Sequence, residues 1–306
     1  MPDRATLLGQ TFRDPSKIVN VVARHLLLTQ SDEERRADCI HPSEIAHSSW
    51  CPRSVYYRIS GTPPDTSGQA RNLAFEMVFE RGHDAHRKWQ GWWWDMGILR
   101  GMFECLICEL YWEDESPSYC PRCDAGRNVL VYREVPVFAD EYLIAGNADG
   151  DVFIADEWTL FEIKTIGDGT IRFEAPQLIK KYTYKHTDDA GKEHENVDWR
   201  ALWNGIKYPF PNHLRQGMIY CLAKERDKIR FLYDPKFVTA WPKEFEIGFM
   251  PELIEDVLDD CLTVKAALEK RKPPKRPMWA TEEHSTCAKC PFKKECYGRR
   301  HNSGTE

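Results

Sequence analysis

Residues 142–165 of this 306-residue chain carry the side chains best suited to chemistry, namely Asp149, Asp151, Glu162 and Lys164. Strand-like runs over 142–154 and 158–165 flank the turn Ala155-Asp156-Glu157, a hairpin pattern. Side chains alternate along a strand, so Asp149 and Asp151 are expected on one face and Glu162 and Lys164 on one face of the next strand. Ala148, Gly150, Val152, Phe161 and Ile163 fall on the opposite faces and suit burial. A tight hairpin would bring Asp149 and Glu162 together with an ammonium group beside them. Paired carboxylates repel unless a cation bridges them, and hard oxygen ligands suit Mg2+ or Mn2+. Such an ion can ready a water for in-line attack on a phosphodiester and offset charge on the leaving oxygen. A neighbouring lysine can orient that water or stabilise developing negative charge. A solvated strand face with alternating charges produces the same short pattern, so the motif gains meaning only from what surrounds it.

The cysteines form a second chemical pattern. There are eleven, and with no export signal expected they do not read as a disulfide framework, because the cytosol keeps thiols reduced. Cys105-x2-Cys108 and Cys120-x2-Cys123 lie eleven residues apart. They read as the two knuckles of a zinc ribbon. Its expected role is to stabilise a small insertion with few core-forming residues, with a grip on DNA or a partner protein as the sharper alternative. Cys287-x2-Cys290-x5-Cys296 clusters near the C-terminus and Cys51 stands before Pro52. Cys39, Cys221 and Cys261 read as ordinary buried thiols.

The elements that must position these groups follow from periodicity. Helices are expected over 16–29, from Pro42-Ser43 up to the Cys51 region, over 76–96, 213–224 and 251–271, and strands over 129–138, 142–154 and 158–165. Residues 182–212 show no clear period and read as a long connection. Pro273, Pro274 and Pro277 separate the last helix from the final cysteines. The net charge of -6 makes no global case for or against a nucleic-acid partner. No apolar run is long enough to span a membrane, and the N-terminal stretch MPDRATLLGQTFRDPSK lacks the apolar middle of a signal peptide, so a cytoplasmic location in a prokaryotic or phage-infected cell is expected.

The order of motifs is more specific than any one of them. Gly82-x3-His86, Gly146-x2-Asp149, Glu162-Ile163-Lys164-Thr165 and His213-x2-Gln216-x3-Tyr220 occur in that sequence. Together they resemble the RecB-like branch of the PD-(D/E)xK nuclease superfamily, and most of all its CRISPR-associated exonucleases and their phage relatives. The resemblance spans residues 82–220. It implies that His86, Asp149, Glu162 and the backbone carbonyl of Ile163 hold Mg2+ or Mn2+, that Lys164 is the catalytic lysine, and that Gln216 and Tyr220 lie over the active site and contact DNA. The family's Asp motif often continues with Arg and an apolar residue, whereas Asp149-Gly150-Asp151 stands here; this leaves open whether Asp151 shares the metal or faces solvent.

Family members of the CRISPR-associated and AddB-like type hold an iron–sulfur cluster with one cysteine before the core and three near the C-terminus. Cys51, Cys287, Cys290 and Cys296 match that arrangement, including Pro291 after the second tail cysteine. Four thiolates suit a [4Fe–4S] cluster or a single Zn2+, and the resemblance favours the cluster. The family does not generally carry the ribbon. The expected architecture is an α/β PD-(D/E)xK (restriction-endonuclease-like) core with a central mixed sheet flanked by helices. Residues 1–80 would form an N-terminal helical segment with the first cluster cysteine, 81–100 and 128–272 the core, 101–127 the ribbon, and 273–306 the cluster-binding tail.

The implied activity is metal-dependent DNA exonuclease action in replication, recombination, repair or CRISPR adaptation. The implied partners are DNA, single-stranded or with a free end, and a protein of such a complex. A DNA-binding recombination protein that keeps the fold without turnover is the alternative; an iron–sulfur redox enzyme would need a second cofactor site, and no dinucleotide-binding glycine motif is present. Residues 199–210 mix Trp, Tyr and Phe with Arg200 and Lys207, which suits either single-stranded DNA or plain packing. Lys180-Lys181 and the basic residues between Lys270 and Arg276 read as solvated faces. Trp92, Trp93 and Trp94 cannot share one helical face, so at least one is expected to pack on the ribbon.

Overall fold

The computed structural model describes residues 17–29, 36–65 and 73–298. Within the N-terminal stretch read for a signal peptide, residues 1–16 lie outside these, as does Ser16 of the first expected helix.

Helix α1 spans Lys17–Thr29 and α2 only Pro42–Ile45. The second helix was expected to run on to the Cys51 region. It stops instead, and α3 starts afresh over Pro52–Ile59. The residue before a proline is pushed out of the helical region, and Cys51 accordingly sits in extended backbone at the head of α3. Helix α4 covers Leu73–Asp95.

The strands then follow: β1 Leu99–Cys105, β2 Tyr111–Glu115, β3 Leu130–Tyr132, β4 Val135–Ala139, β5 Ile144–Ala148, β6 Gly150–Ile154 and β7 Glu157–Ile166. The expected strand over 142–154 is thus two strands. β5 pairs antiparallel with β4 in a small sheet, β6 pairs with β7 in the large one, and Asp149 occupies the junction. Ala155 and Asp156 both adopt left-handed backbone, the geometry of the tight turn that closes β6 onto β7.

Residues 182–212 are not a structureless link. After α5 (Asp168–Glu174) and α6 (Pro176–Tyr182) they form the hairpin of β8 (Thr183–Thr187) and β9 (Glu193–Val197) and the helix α7 (Trp199–Gly205). Helix α8, Pro211–Ala223, leads to two strands that the periodicity reading did not anticipate, β10 (Lys228–Pro235) and β11 (Lys243–Gly248). The chain continues through α9 (Glu255–Glu269), α10 (Ser285–Ala288) and α11 (Lys293–Gly298).

The large sheet has the order β11-β10-β7-β6-β1-β2, with β3 also paired to β1. β10 runs parallel to β7 and the other pairings are antiparallel, so the sheet is mixed and helices flank it. Parallel neighbours need a long crossover, and α5 through α8 supply it. Trp93, Leu99, Val152, Phe161, Ile163 and Leu232 form the core on one side of the sheet. On the other side α8 approaches β10 closely; a Cβ added at Gly217 would lie 2.3 Å from Phe231 Cζ.

The chain divides into two compact units. Among the described residues, one comprises 17–29, 36–40, 49–65, 73–83 and 258–298, the other His41–Ser48 and Asp84–Val257. Among the described residues, no helix is long and apolar enough to cross a membrane.

Candidate metal centre and active site

Helix α4 presents His86 and Gln90 one turn apart on one face. Its position over the end of β10 is held by Lys88 Nζ and Trp89 Nε1, which donate to Asp234 Oδ2 at 2.7 and 3.0 Å. His86 Nδ1 lies 3.1 Å from Asp149 Oδ1. Gln90 Nε2 donates to the Asp149 carbonyl at 2.9 Å, and Asp149 Oδ2 accepts from the Ile163 backbone nitrogen at 2.6 Å. The break between β5 and β6 therefore lets Asp149 reach the middle of β7. Glu134, in left-handed backbone between β3 and β4, completes a compact group with His86 and Asp149 whose ligand atoms all lie within 4.8 Å of one another.

Glu162 and Lys164 project from β7 on one face, as strand parity requires. Lys164 Nζ donates to Glu162 Oε1 at 2.6 Å and to Gln216 Oε1 at 2.9 Å. The Gln216 amide nitrogen uses its two hydrogens on Glu162 Oε1 (3.0 Å) and Tyr220 Oη (2.7 Å). One oxygen of Glu162 is thus held twice, while its Oε2 is buried with no hydrogen-bond partner. A buried carboxylate oxygen left unpaired is costly, and a cation is the group that would satisfy it without donating a proton. His213, the first member of the last motif, turns away from this group and contacts Tyr233 Oη through Nδ1 at 2.6 Å.

Electrostatics agree with this crowding. Burial, with Asp149 nearby, pushes Glu162 up to about 8 against the opposing pull of Lys164. Burial and Asp149 likewise push Glu134 up to about 7. Burial opposes charge on His86, but the Asp149 carboxylate outweighs it and raises the imidazole. Burial and the adjacent Glu162 lift the Tyr220 phenol well above its usual range. A divalent cation bound here would displace the protons that these carboxyls hold near neutrality.

Asp151 does not face solvent, and it stands outside the compact group of His86, Glu134 and Asp149, with its Oδ1 buried and without a hydrogen-bond partner. It is 3 % exposed and paired with Arg100 and with Arg226, the latter at 2.8 Å. Arg100 also lies over the Trp158 ring at 4.3 Å. The junction at Asp149 breaks the alternation that would have placed both aspartates together.

The two cysteine groups differ in tightness. Cys105, Cys108, Cys120 and Cys123 have sulfurs within 4.8 Å of one another, with Cys105–Cys123 at 3.6 Å and Cys108–Cys120 at 3.5 Å. A zinc ion with Zn–S bonds near 2.3 Å sets tetrahedral thiolates about 3.8 Å apart. The strand that delivers Cys105 is itself a member of the large sheet, joined to β6 at Leu99↔Val152. Of Trp92, Trp93 and Trp94, it is Trp94 that packs on this group, as Trp112 also does, and the Trp94 Nε1 donates to the Pro117 carbonyl at 3.0 Å. Cys51, Cys287, Cys290 and Cys296 all belong to the other unit. No three of them gather as tightly as the ribbon's cysteines do. Burial raises the Cys51 thiol and the nearby Cys290 and Cys296 add to the effect. Cys39, Cys221 and Cys261 are buried, as expected.

Solved structures show likenesses at low identity. A crystal structure of SSO0001 aligns with 14% identity and a TM-score of 0.38, over 94% of this chain and 98% of that one. An alkaline exonuclease (LHK-Exo) from Laribacter hongkongensis aligns with 12% identity and a TM-score of 0.36, over 77% of this chain and 90% of that one. The same exonuclease in complex with dAMP gives 12% identity and a TM-score of 0.37 over the same shares. No protein-family model matches the chain, and no curated protein matches it.

Sequence reasoning missed Glu134 and Gln90. Gln90 was in plain view at helical spacing from His86. Glu134 sits in the run 129–138 that reads as one strand, where a charged residue between Arg133 and Val135 looks solvated. The signal was the interruption itself, because Glu134 falls between one strand pairing that ends at Tyr132 and another that begins at Val135.

Proposed function

We propose that this chain is a divalent-metal-dependent DNA nuclease, acting as an exonuclease on DNA with a free end. The observation that carries the reading is the divided treatment of Glu162. One of its oxygens is clamped by Lys164 and Gln216, and the other is buried and unpartnered, in a carboxyl that feels the charges of Asp149 and His86, two members of the compact group with Glu134. Oxygen donors with one imidazole suit Mg2+ or Mn2+. His86, Asp149, Glu162 and the Ile163 carbonyl would hold the ion, with Glu134 added to that set. The ion would supply Lewis-acid activation of water and stabilisation of charge on the phosphoryl oxygens.

The protein's own groups have distinct tasks. Gln90 and the Ile163 amide orient Asp149. Gln216, braced by Tyr220, holds Glu162 and Lys164 in register. Lys164 places a positive charge where negative charge develops, without having to reorganise during reaction. The ribbon thiolates would hold one Zn2+. Cys51, Cys287, Cys290 and Cys296, of which Cys51 lies near Cys290 and Cys296, would hold a [4Fe–4S] cluster. The partners we infer are DNA and a protein of a replication, recombination or CRISPR-adaptation complex.

The test is a cleavage assay of purified protein on end-labelled single- and double-stranded DNA with Mg2+ or Mn2+. The expected result is cleavage that excess chelator abolishes and that Lys164→Ala lowers by at least about a hundredfold, with fold and bound metals retained. Wild-type activity in chelator or in Lys164→Ala would overturn the mechanism. DNA binding without cleavage would favour the scaffold alternative.

A further inference from the structure

The geometry points to a stacking platform for single-stranded DNA, centred on Trp241, at the end of the sheet that carries the site; this rests on the nuclease reading above. Trp241 is 90 % exposed, yet its backbone is fixed, since its carbonyl accepts from Trp203 Nε1 at 3.0 Å. Lys243 Nζ donates to the Ile206 carbonyl at 2.6 Å and lies over the Trp203 ring at 5.3 Å. Trp203 in turn meets Phe237, which packs against Trp199, and the Arg172 guanidinium lies over Trp199 at 5.9 Å. Trp203 is buried and Trp199 and Phe237 are half-buried, so these rings form a base at which the Trp241 ring stands out into solvent; Tyr208 is also half exposed. This divides residues 199–210 between the two expected roles: Trp203 and Phe210 pack, while Lys207 and Tyr208 stay exposed.

Placement links the platform to the site. β7 and β10 run parallel and end together, with Lys236 N donating to the Ile166 carbonyl at 2.8 Å. Arg172 follows the end of β7 and Trp241 follows the end of β10. Lys164 pairs with Tyr233 across these strands, and Tyr233 Oη accepts from the Phe210 backbone nitrogen at 2.7 Å. From Phe210 to Gln216 is about 9 Å of helix rise, a span a nucleotide strand covers easily. Rings offer stacking to any base, while Lys207 and Arg200 offer charge to phosphates, and Arg172 shares its charge with Asp168 at 3.8 Å. A double helix hides its base faces, so the surface suits a single strand.

The test uses full-length protein carrying Lys164→Ala, so that binding is read without cleavage. A fluorescein-labelled oligothymidylate of about 15 nucleotides is titrated by anisotropy, with a blunt duplex of equal length beside it. Trp241→Ala is expected to weaken single-strand binding about 5- to 100-fold, the range for one lost stacking partner. Trp241→Phe should retain most of the affinity, and duplex binding should change less. Unchanged single-strand affinity in Trp241→Ala would overturn the platform. So would sedimentation showing that Trp241→Ala abolishes self-association of the chain while leaving DNA affinity intact, since the ring would then serve a second copy. If Lys164→Ala protein binds no DNA and wild type cuts none, the nuclease reading falls and the platform with it. If wild type cuts and Trp241→Ala binds as tightly as its parent, only the platform falls.

Discussion

The Ile163 backbone nitrogen donates to Asp149 Oδ2 at 2.6 Å, tying the junction of β5 and β6 to the centre of the strand that carries Glu162 and Lys164. The other Asp149 oxygen faces His86 at 3.1 Å. Asp149→Ala therefore removes the oxygen that faces His86 and leaves a buried amide without its acceptor, at a cost of about 1–3 kcal/mol. Asp149→Asn keeps an acceptor for Ile163 and should cost less stability while still losing cleavage. Urea denaturation with parallel activity assays separates the two effects, and equal stability of both variants would refute the tie.

Glu134→Gln keeps the shape of the side chain and removes its charge beside His86 and Asp149. The apparent affinity for Mn2+ should fall at least about tenfold, read by isothermal titration or by the Mn2+ dependence of cleavage. Cleavage at saturating metal should recover in large part. Undiminished Mn2+ affinity would remove Glu134 from the metal set.

Glu134 and Glu162 are raised to about 7 and about 8 in the folded, metal-free protein. Unfolded, both would titrate near the usual value of about 4.3. The folded state then binds more protons between those values, so its stability is fullest below the unfolded range and falls as pH rises through the folded values. Differential scanning fluorimetry in chelator should show the melting temperature declining between about pH 5 and about pH 8. Saturating Mn2+ should flatten that decline, because the ion replaces the protons, and Mn2+ affinity should climb over the same window. A metal-free melting temperature that rises across it would contradict the site's electrostatics.

The two cysteine groups should be separable by metal analysis. Cys120→Ser is expected to lose zinc, about one ion per chain, and to lower thermal stability because Cys105 sits at the end of a strand of the large sheet. Cys287→Ser should lose iron and inorganic sulfide, and the brown colour of anaerobically purified protein, while keeping zinc. Loss of both metals in either variant would mean that the groups are not independent.

Gly217→Ala places a methyl group 2.3 Å from Phe231 Cζ, where α8 lies against β10. Overpacking of this kind costs about 1–3 kcal/mol. Because α8 carries Gln216, cleavage should fall as well, through loss of the hold on Glu162. Pairing Gly217→Ala with Phe231→Leu should restore part of the stability. No change in the urea midpoint of Gly217→Ala would show that α8 does not rest on β10 at this distance.

Much of the site was legible because it rests on short-range periods. Glu162 and Lys164 share a face because strand side chains alternate, and His86–Gln90 and Gln216–Tyr220 share faces because a helix turns every three to four residues. The gathering of Cys105, Cys108, Cys120 and Cys123 was legible in spacing alone, since each CxxC turn brings two thiols together. The reading failed wherever a strand changed partners. Asp149 and Asp151 look equivalent two residues apart, yet the junction sends one to His86 and Ile163 and the other to Arg100 and Arg226. Glu134 was lost in the same way.

What the chain determined locally was the set of chemical groups, their order and the faces they occupy. Only the tertiary structure decided which of them meet. The parallel pairing of β7 with β10, the approach of α8 through Gly217 and the gathering of Glu134 with His86 and Asp149 all join residues distant in sequence. Periodicity records how a segment presents its side chains, but strand partnership is a long-range choice made by packing, and no local pattern encodes it.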